Sequence, residues 1–382
     1  MVAKEQMVEK SPLGCVSSLA TSDFSVIGSQ KLEFSPGINI VIGENGTGKS
    51  HFLKLVYCAT RSLYPERLGR MGTRSREGFG KTIGERLLEV FQPDALGRLC
   101  SRRIGRQRAE VTLAFDGADA PLSFSFATNS ASSVNVTSLP SDLPQSPAGR
   151  PIFFPTREVV TLVPYFIDLY ENNKLFGFDE TYYDLCKALT GTLKRGPKAL
   201  ETLELAQPLR DAVSGKLTVE PASGRFYLLQ TDGGKFEMPL VAEGMRKLAM
   251  LSHLIMNGSL RRHSLVLWDE PEANLNPKLI RVLAAALVNL AANGVQIMIA
   301  THSLFLMREI SYLSRKAERG APKSGKRKKP KTPVRYFALV KGDGVIDVQA
   351  GDDLEDLTTI ASLESAVDQD NRLEGEYWEE ER

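Results

Sequence analysis

The chain has 382 residues, 42% hydrophobic and 25% charged, with a formal net charge of +2. This is ordinary globular composition with length for one large domain or two lobes. No apolar run reaches the roughly 18 residues a membrane helix needs, since the nearest, VLAAALVNLAA at 282–292, is short and interrupted by Asn289. The N-terminal MVAKEQMVEKSPLG has no apolar core, which excludes a signal peptide. Cys15, Cys58, Cys100 and Cys186 are scattered without metal spacing, so free thiols in a reducing cytoplasm are expected.

In chain order, FSVIGSQKLEF (24–34) and INIVIG (38–43) read as strands separated by the turn SPG. GKSHFLKLVYCATRSL (48–63) has the apolar spacing of a helix packed on a sheet. Residues 61–108 hold twelve Lys or Arg against five Asp or Glu. AEVTLAF, LSFSFAT and SVNVTSL within 109–140 read as short antiparallel strands, followed by a Ser/Pro-rich connector and a strand PIFF at 151–154. From 157 to 230 the pattern is mostly helical, with one hairpin-like piece, KLTVEPASGRFYLLQ. Buried strands SLVLWD (264–269) and VQIMIA (295–300) flank a helix over roughly 276–292, and strand–helix–strand order predicts a mostly parallel sheet.

Gly43-Glu44-Asn45-Gly46-Thr47-Gly48-Lys49-Ser50 matches G-x-x-x-x-G-K-[ST] between a strand and a helix. Its glycines let successive N–H groups face a phosphate chain, and the helix N-terminus adds partial positive charge. Lys49 is expected on the β- and γ-phosphates and the Ser50 hydroxyl on Mg²⁺. In LVLWDEPE, Asp269 and Glu270 emerge at the C-terminal end of a buried strand, the edge where open α/β sheets bind ligands. Asp269 is expected to complete the Mg²⁺ shell, and Glu270 to orient the attacking water or take its proton. His302, after the strand IMIAT, stands where a side chain reaches a γ-phosphate, although THS also reads as a helix cap.

Phosphate loop, the phrase VAEGMRKLAML (241–251), DEPEANLNP and His302, in that order, resemble an ABC-type ATPase head. GINIVIGENGTGKSHFLKL, FFPTREVV and EGMRKLAML are most similar to the soluble RecF, SMC and OLD-like (overcoming lysogenization defect) branch. The resemblance implies a head with a mostly parallel phosphate-loop sheet, an antiparallel β subdomain and a helical lobe carrying the signature motif. The corresponding division is 1–156, 157–262, 263–351 with a basic loop at 315–333, and an acidic tail at 352–382. It implies ATP and Mg²⁺ as cofactors. It also implies that Glu243 and Gly244 of the signature act on a nucleotide held by a second subunit, with Asn274 at the same junction. A homodimer sandwiching two ATP molecules follows, with higher oligomers open. The family's serine before the signature glycine is Ala242 here, and losing that charged hydrogen bond is worth about 1.5–3 kcal/mol, so hydrolysis should be slow. No Q-loop glutamine stands in FFPTREVV. Thr156, Arg157 or Glu158 takes its place, with Arg157 favoured for its forked guanidinium.

APKSGKRKKPKT (321–332) has six basic residues and, with the arginine-rich 61–108 stretch, suits nucleic-acid contact as well as plain solvation. The segment 352–382 has twelve acidic residues against two basic. The resemblance implies a sensor or regulator ATPase in anti-phage defence, of the PARIS or Septu type, acting on a separate TOPRIM-like nuclease. About eighty residues follow His302, too few for a nuclease core in this chain. The alternatives are a RecF-like DNA-repair ATPase and a transporter's nucleotide-binding subunit. About 220 residues between Lys49 and Asp269 argue against the latter.

Overall fold

The computed structural model describes residues 13–65, 75–101, 105–146, 149–163, 165–173, 177–191, 198–220, 223–319, 332–342 and 346–358. The basic stretch 321–331 and the acidic stretch 359–382 lie outside them. Residues 66–74 and 102–104 of the arginine-rich segment do too.

A mixed six-stranded sheet organises the rest. From one edge it runs Ile346–Gly351 (β14), Val334–Lys341 (β13), Ile38–Gly43 (β3), Gln296–Thr301 (β12), Leu265–Asp269 (β11) and Ile152–Phe154 (β7). All neighbours are parallel except the β13–β14 hairpin. Strands buried on both faces need near-continuous apolar sequence, and alternation divides their side chains between two cores. Ile38, Ile40, Ile42, Val266, Trp268, Ile297 and Ile299 face one. Val41, Leu265, Leu267, Met298, Ala300 and Phe337 face the other.

The second core is closed by helix Lys49–Arg61 (α1) and a five-stranded antiparallel sheet. That sheet has the order Gly28–Glu33 (β2), Val16–Phe24 (β1), Arg108–Phe115 (β4), Leu122–Ala127 (β5), Asn135–Ser138 (β6). Buried Gln296 joins the two sheets, accepting from Val16 N–H at 2.8 Å and donating to Val16 O and Ser35 O at 2.8 and 2.9 Å. Arg76–Phe91 (α2) lies beside α1 and β6. Beneath the first core sit helices Tyr165–Asn173 (α3), Glu180–Leu189 (α4), Lys198–Ala212 (α5) and Glu243–Met256 (α6). With them are Pro277–Ala292 (α7), Leu304–Arg319 (α8) and a small antiparallel sheet, Gly215–Val219 (β8), Phe226–Gln230 (β9), Lys235–Glu237 (β10). Among the described residues, no helix is long and apolar enough to cross a membrane. Cys58, Cys100 and Cys186 are buried free thiols, and Cys15 is half-buried.

One local expectation changes, and one helix went unread. FSVIGSQKLEF is not one strand: Ser25 takes φ 49° and Gly28 φ 67°, turning β1 into β2 and burying Ile27 in the turn. The preceding strand, VSSLATSDF, is rich in Ser and Thr and gives a weak apolar pattern. Within the arginine-rich stretch, Gly80, Ile83, Gly84, Leu87 and Val90 form a buried helical stripe, a 3–4 spacing that the charges obscure.

A buried polar cluster ties α1 to α2 and α4. The Arg61 Nε donates to Asp184 Oδ2 at 3.0 Å, and Tyr57 Oη donates to the same oxygen. Arg86 pairs with Glu180 at 2.8 Å and with Asp184 at 3.4 Å. Lys54 reaches Asp179, the N-cap of α4, at 2.6 Å. Burial alone would raise the Asp184 carboxyl, but Arg61 and Arg86 outweigh it and hold Asp184 well below the usual carboxylate range. Burial pushes Glu180 up to about 8, Arg86 notwithstanding. The folded state therefore keeps a proton that the unfolded chain releases at ordinary glutamate values. The associated stability is fully present below that range and is lost as pH rises toward about 8. Thermal melting from pH 5 to 8 should show wild type losing stability relative to Glu180→Gln, which cannot titrate. Parallel profiles would contradict the protonated Glu180.

Candidate functional site

Because β3, β12 and β11 are parallel neighbours, the segments leaving their C-terminal ends emerge side by side. After β3 comes the loop Glu44–Gly48, with Glu44, Asn45 and Gly46 exposed and Thr47 buried. The Thr47 hydroxyl donates to Glu44 O at 2.9 Å. Gly48 caps α1 at φ 93°, and a Cβ there would lie 2.7 Å from Val26 Cγ2, so both conformation and space demand glycine. Lys49 is 7% exposed and donates to Gly43 O at 2.7 Å and Glu44 O at 2.9 Å. Burial lowers its pKa, while Glu270, Asp269, Glu272 and Glu44 oppose the shift. The ammonium is thus held by neutral carbonyls within a field of carboxylates.

At the end of β11, burial raises the Asp269 pKa although the nearby Ser50 hydroxyl works to lower it. Among the described residues no group of three or more His, Cys, Asp or Glu is set to hold a metal. One hydroxyl and one carboxylate suit Mg²⁺, which keeps waters and takes its remaining ligands from phosphates. The donor set therefore fits a magnesium–nucleotide: Ser50 and Asp269 for the metal, with Lys49 and the α1 N-terminus for phosphate.

Glu270 has φ 48° while its N–H still pairs with Ala300 O at 2.9 Å. Left-handed backbone costs a glutamate roughly 1–2 kcal/mol, and such strain clusters at functional sites. His302 follows β12, with Nδ1 3.5 Å from Glu270 Oε1 and 3.8 Å from Glu272 Oε1. The cap expected in THS is also present: Ser303 Oγ accepts from Leu306 N–H at the start of α8.

Glu272 is a site residue that the motif reading missed. It is 8% exposed, and its Oε1 accepts from the Thr301 hydroxyl at 2.5 Å and from His302 N–H at 3.3 Å. Its Oε2 is buried with no hydrogen-bond partner among the described residues. One side chain thus fastens the loop after β11 to the end of β12 and fixes the backbone beneath His302. The available signal was the second glutamate of DEPE, two residues beyond Glu270.

The signature phrase opens α6, whose N-cap, Ala242, makes no side-chain cap bond. Its contacts within this chain are specific. A Cβ on Gly244 would lie 2.6 Å from Asn274 O and 2.8 Å from Leu275 Cδ2, and Asn274 itself is left-handed at φ 63°. Buried Lys247 donates to Ala273 O at 3.0 Å. On the other side Arg246 pairs with Glu158 at 3.0 Å, and Glu158 accepts from Val160 N–H and the Thr161 hydroxyl. In FFPTREVV it is therefore Glu158 that joins the signature helix. The Arg157 side chain is exposed and has no ion-pair partner among the described residues. Glu243 is half-buried in the first turn of α6.

A buried, largely parallel sheet, a strand–phosphate loop–helix unit, a paired carboxylate motif and a glycine-opened helix packed on the loop beyond it make up a phosphate-loop ATPase fold. The chain belongs to the family described as "AAA domain, putative AbiEii toxin, Type IV TA system", whose model matches residues 38–308. Among solved structures, the Smc head bound to the C-winged helix domain of ScpA matches at 14% identity and TM-score 0.52, covering 88% of this chain and 97% of that one. A Pyrococcus furiosus Smc head with an extended coiled coil, bound to the C-terminal domain of ScpA, matches at 13% and 0.47, covering 94% and 99%. RecF–ATPrS, the recombination mediator of the RecFOR pathway, matches at 14% and 0.39, covering 89% and 100%. At these identities the likeness speaks for fold alone, and the first match carries it. No curated protein matches the chain.

Two outcomes test the contacts. Glu272→Ala should lower the kcat for ATP hydrolysis about tenfold or more with KM nearly unchanged, and Glu272→Gln, which still accepts from Thr301, should recover much of it. Equal losses in both variants would show that hydrogen bonding by Glu272 is not what matters. Gly244→Ala should destabilise the chain by about 1–3 kcal/mol in chemical denaturation, because the added carbon meets backbone. Undiminished stability would mean that the Asn274 loop yields freely.

Proposed function

We propose that the chain binds ATP with Mg²⁺, hydrolyses it slowly and closes into a homodimer around two nucleotides, and that this cycle controls a separate effector in anti-phage defence. The reading is supported above all by one observation: Lys49, Ser50, Asp269, Glu270 and His302 all lie at the C-terminal ends of three adjacent parallel strands or in the segments that follow them. Membership of an AAA-domain family supports nucleotide dependence.

Lys49 leaves its two carbonyls to meet the β- and γ-phosphates, and the Gly46–Gly48 backbone lines the chain of phosphates. Ser50 and Asp269 hold Mg²⁺, which when bound neutralises phosphate charge. Glu270 accepts the proton of the attacking water. His302, held from below by Glu272, donates toward the γ-phosphate. Gly244 and Glu243, with Asn274 beside them, face the nucleotide of the second subunit. Because Gly244 also packs on Asn274 and Leu275 of its own chain, the signature helix and the loop after β11 move as one piece. Ala242 supplies no hydroxyl at that junction, which slows hydrolysis more than binding. Arg157, exposed beyond β7, contacts phosphate or a carboxylate as the dimer closes.

The effector is a second protein, a TOPRIM-like nuclease in a PARIS-type or Septu-type pair. The family description, which names a toxin, favours a competing reading in which this chain is itself toxic. Expression of the chain alone separates them: no host toxicity is expected, and toxicity that persists in Lys49→Ala would overturn the two-protein reading. A repair role on DNA ends or gaps fits the same fold, and stimulation of hydrolysis by naked DNA would favour it.

For the chemistry, Lys49→Ala should abolish ATP binding. Glu270→Gln should bind ATP, hydrolyse it at least about a hundredfold more slowly, as expected on losing a general base, and sediment as an ATP-dependent dimer. Hydrolysis by Glu270→Gln at the wild-type rate would remove Glu270 from the role of base.

A further inference from the structure

Away from the ATPase site, the arginine-rich segment and the antiparallel sheet enclose a groove of about 460 Å³. Arg76 comes from the first turn of α2, Arg108 from the start of β4 and Arg106 from the residues just before it. Ser125, Asn129 and Asn135 also line it, and among the described residues Glu77 is the one acid there. The arginines are exposed, and none has a carboxylate partner among the described residues. Arg108 donates to Ser125 Oγ at 3.3 Å and Arg106 to Asn129 Oδ1 at 3.2 Å, which orients two guanidinium groups without neutralising them.

The groove is built into the fold. α2 can lie against the 132–136 segment only because Gly80 and Gly84 face it: a Cβ at either would fall 2.3 Å from Val134 O or 2.2 Å from Ser132 O. That contact sets the N-terminal end of a 16-residue helix, with its partial positive charge, along the groove wall. Three cationic forks converging on a concave polar surface demand oxyanions, and planar guanidinium matches phosphate in a bidentate manner. Among the described residues its lining has no exposed aromatic ring on which a base could stack, since Phe126 is 3% exposed, so contact should be to backbone phosphates and insensitive to sequence.

We propose that this groove is a phosphate-binding site for a nucleic-acid strand, separate from the nucleotide site. It does not depend on the ATPase reading, and the melting temperature without nucleic acid serves as the folding control. The test compares full-length wild type with Arg76→Gln/Arg106→Gln/Arg108→Gln, using 20-residue duplex DNA, single-stranded DNA or RNA, and pyrophosphate, at 50 to 200 mM salt. Each phosphate contact contributes a slope of about −0.9 in log K against log salt for duplex and about −0.7 for single strands. The triple variant should therefore lose about two to three units of slope with an unchanged melting temperature. Loss of pyrophosphate binding with DNA and RNA unaffected would keep the phosphate site but assign it to a free polyphosphate. An unchanged slope with all three probes, or competition by polyglutamate but by no phosphate ligand, would overturn the proposal. Should the triple variant unfold, Arg108→Gln alone should remove about one unit.

Discussion

The parallel alignment of β3, β12 and β11 is the constraint on which everything else rests. Parallel neighbours end at the same edge, so three segments far apart in sequence leave the sheet together. Lys49, Asp269, Glu270 and His302 are close because their strands pair, and the strands pair because their residues are apolar on both faces. Trp268 stacking on Phe154 at 4.4 Å extends the same logic to the β7 edge, from which the Glu158 segment departs. A fault in this register would displace every polar group of the site at once.

Around that edge the chain uses a few buried polar contacts to make the loops behave as units. Glu272 joins the end of β12 to the loop after β11. Lys247 and Gly244 join that loop to α6, and Arg246 joins α6 to Glu158. A buried charge left without its partner is costly, so each contact is stable only when both elements are in place. The signature helix, the Glu158 segment and the carboxylate loop thus share one arrangement. The α1 helix, whose N-terminus ends the phosphate loop, is separately tied to α4 through Arg61 and Asp184.

Much of the candidate site was legible because its chemistry is local. GENGTGKS and LVLWDEPE each combine fixed polar residues with an adjacent apolar strand, and the helix expected near 276–292 is Pro277–Ala292, capped by Asn276. What escaped reading was non-local. Glu158 and Arg246 meet only through folding, and nothing near either residue announces the other. Buried Lys247 looked like an ordinary helix lysine. The strand Val16–Phe24 was hidden by Ser and Thr, and α2 by its arginines, although its stripe from Gly80 to Val90 has helical spacing. The turn at Ser25 depends on backbone angles that apolar patterning does not encode.

The most direct measurement is a crystal structure of the chain with a non-hydrolysable ATP analogue and Mg²⁺. The account predicts the triphosphate along Glu44–Ser50, Lys49 drawn from Gly43 O and Glu44 O onto phosphate, Ser50 and Asp269 at the metal, and Glu270 and His302 facing the γ-phosphate. A nucleotide bound elsewhere, or bound here with Asp269 and Glu270 remote from its phosphates, would contradict it.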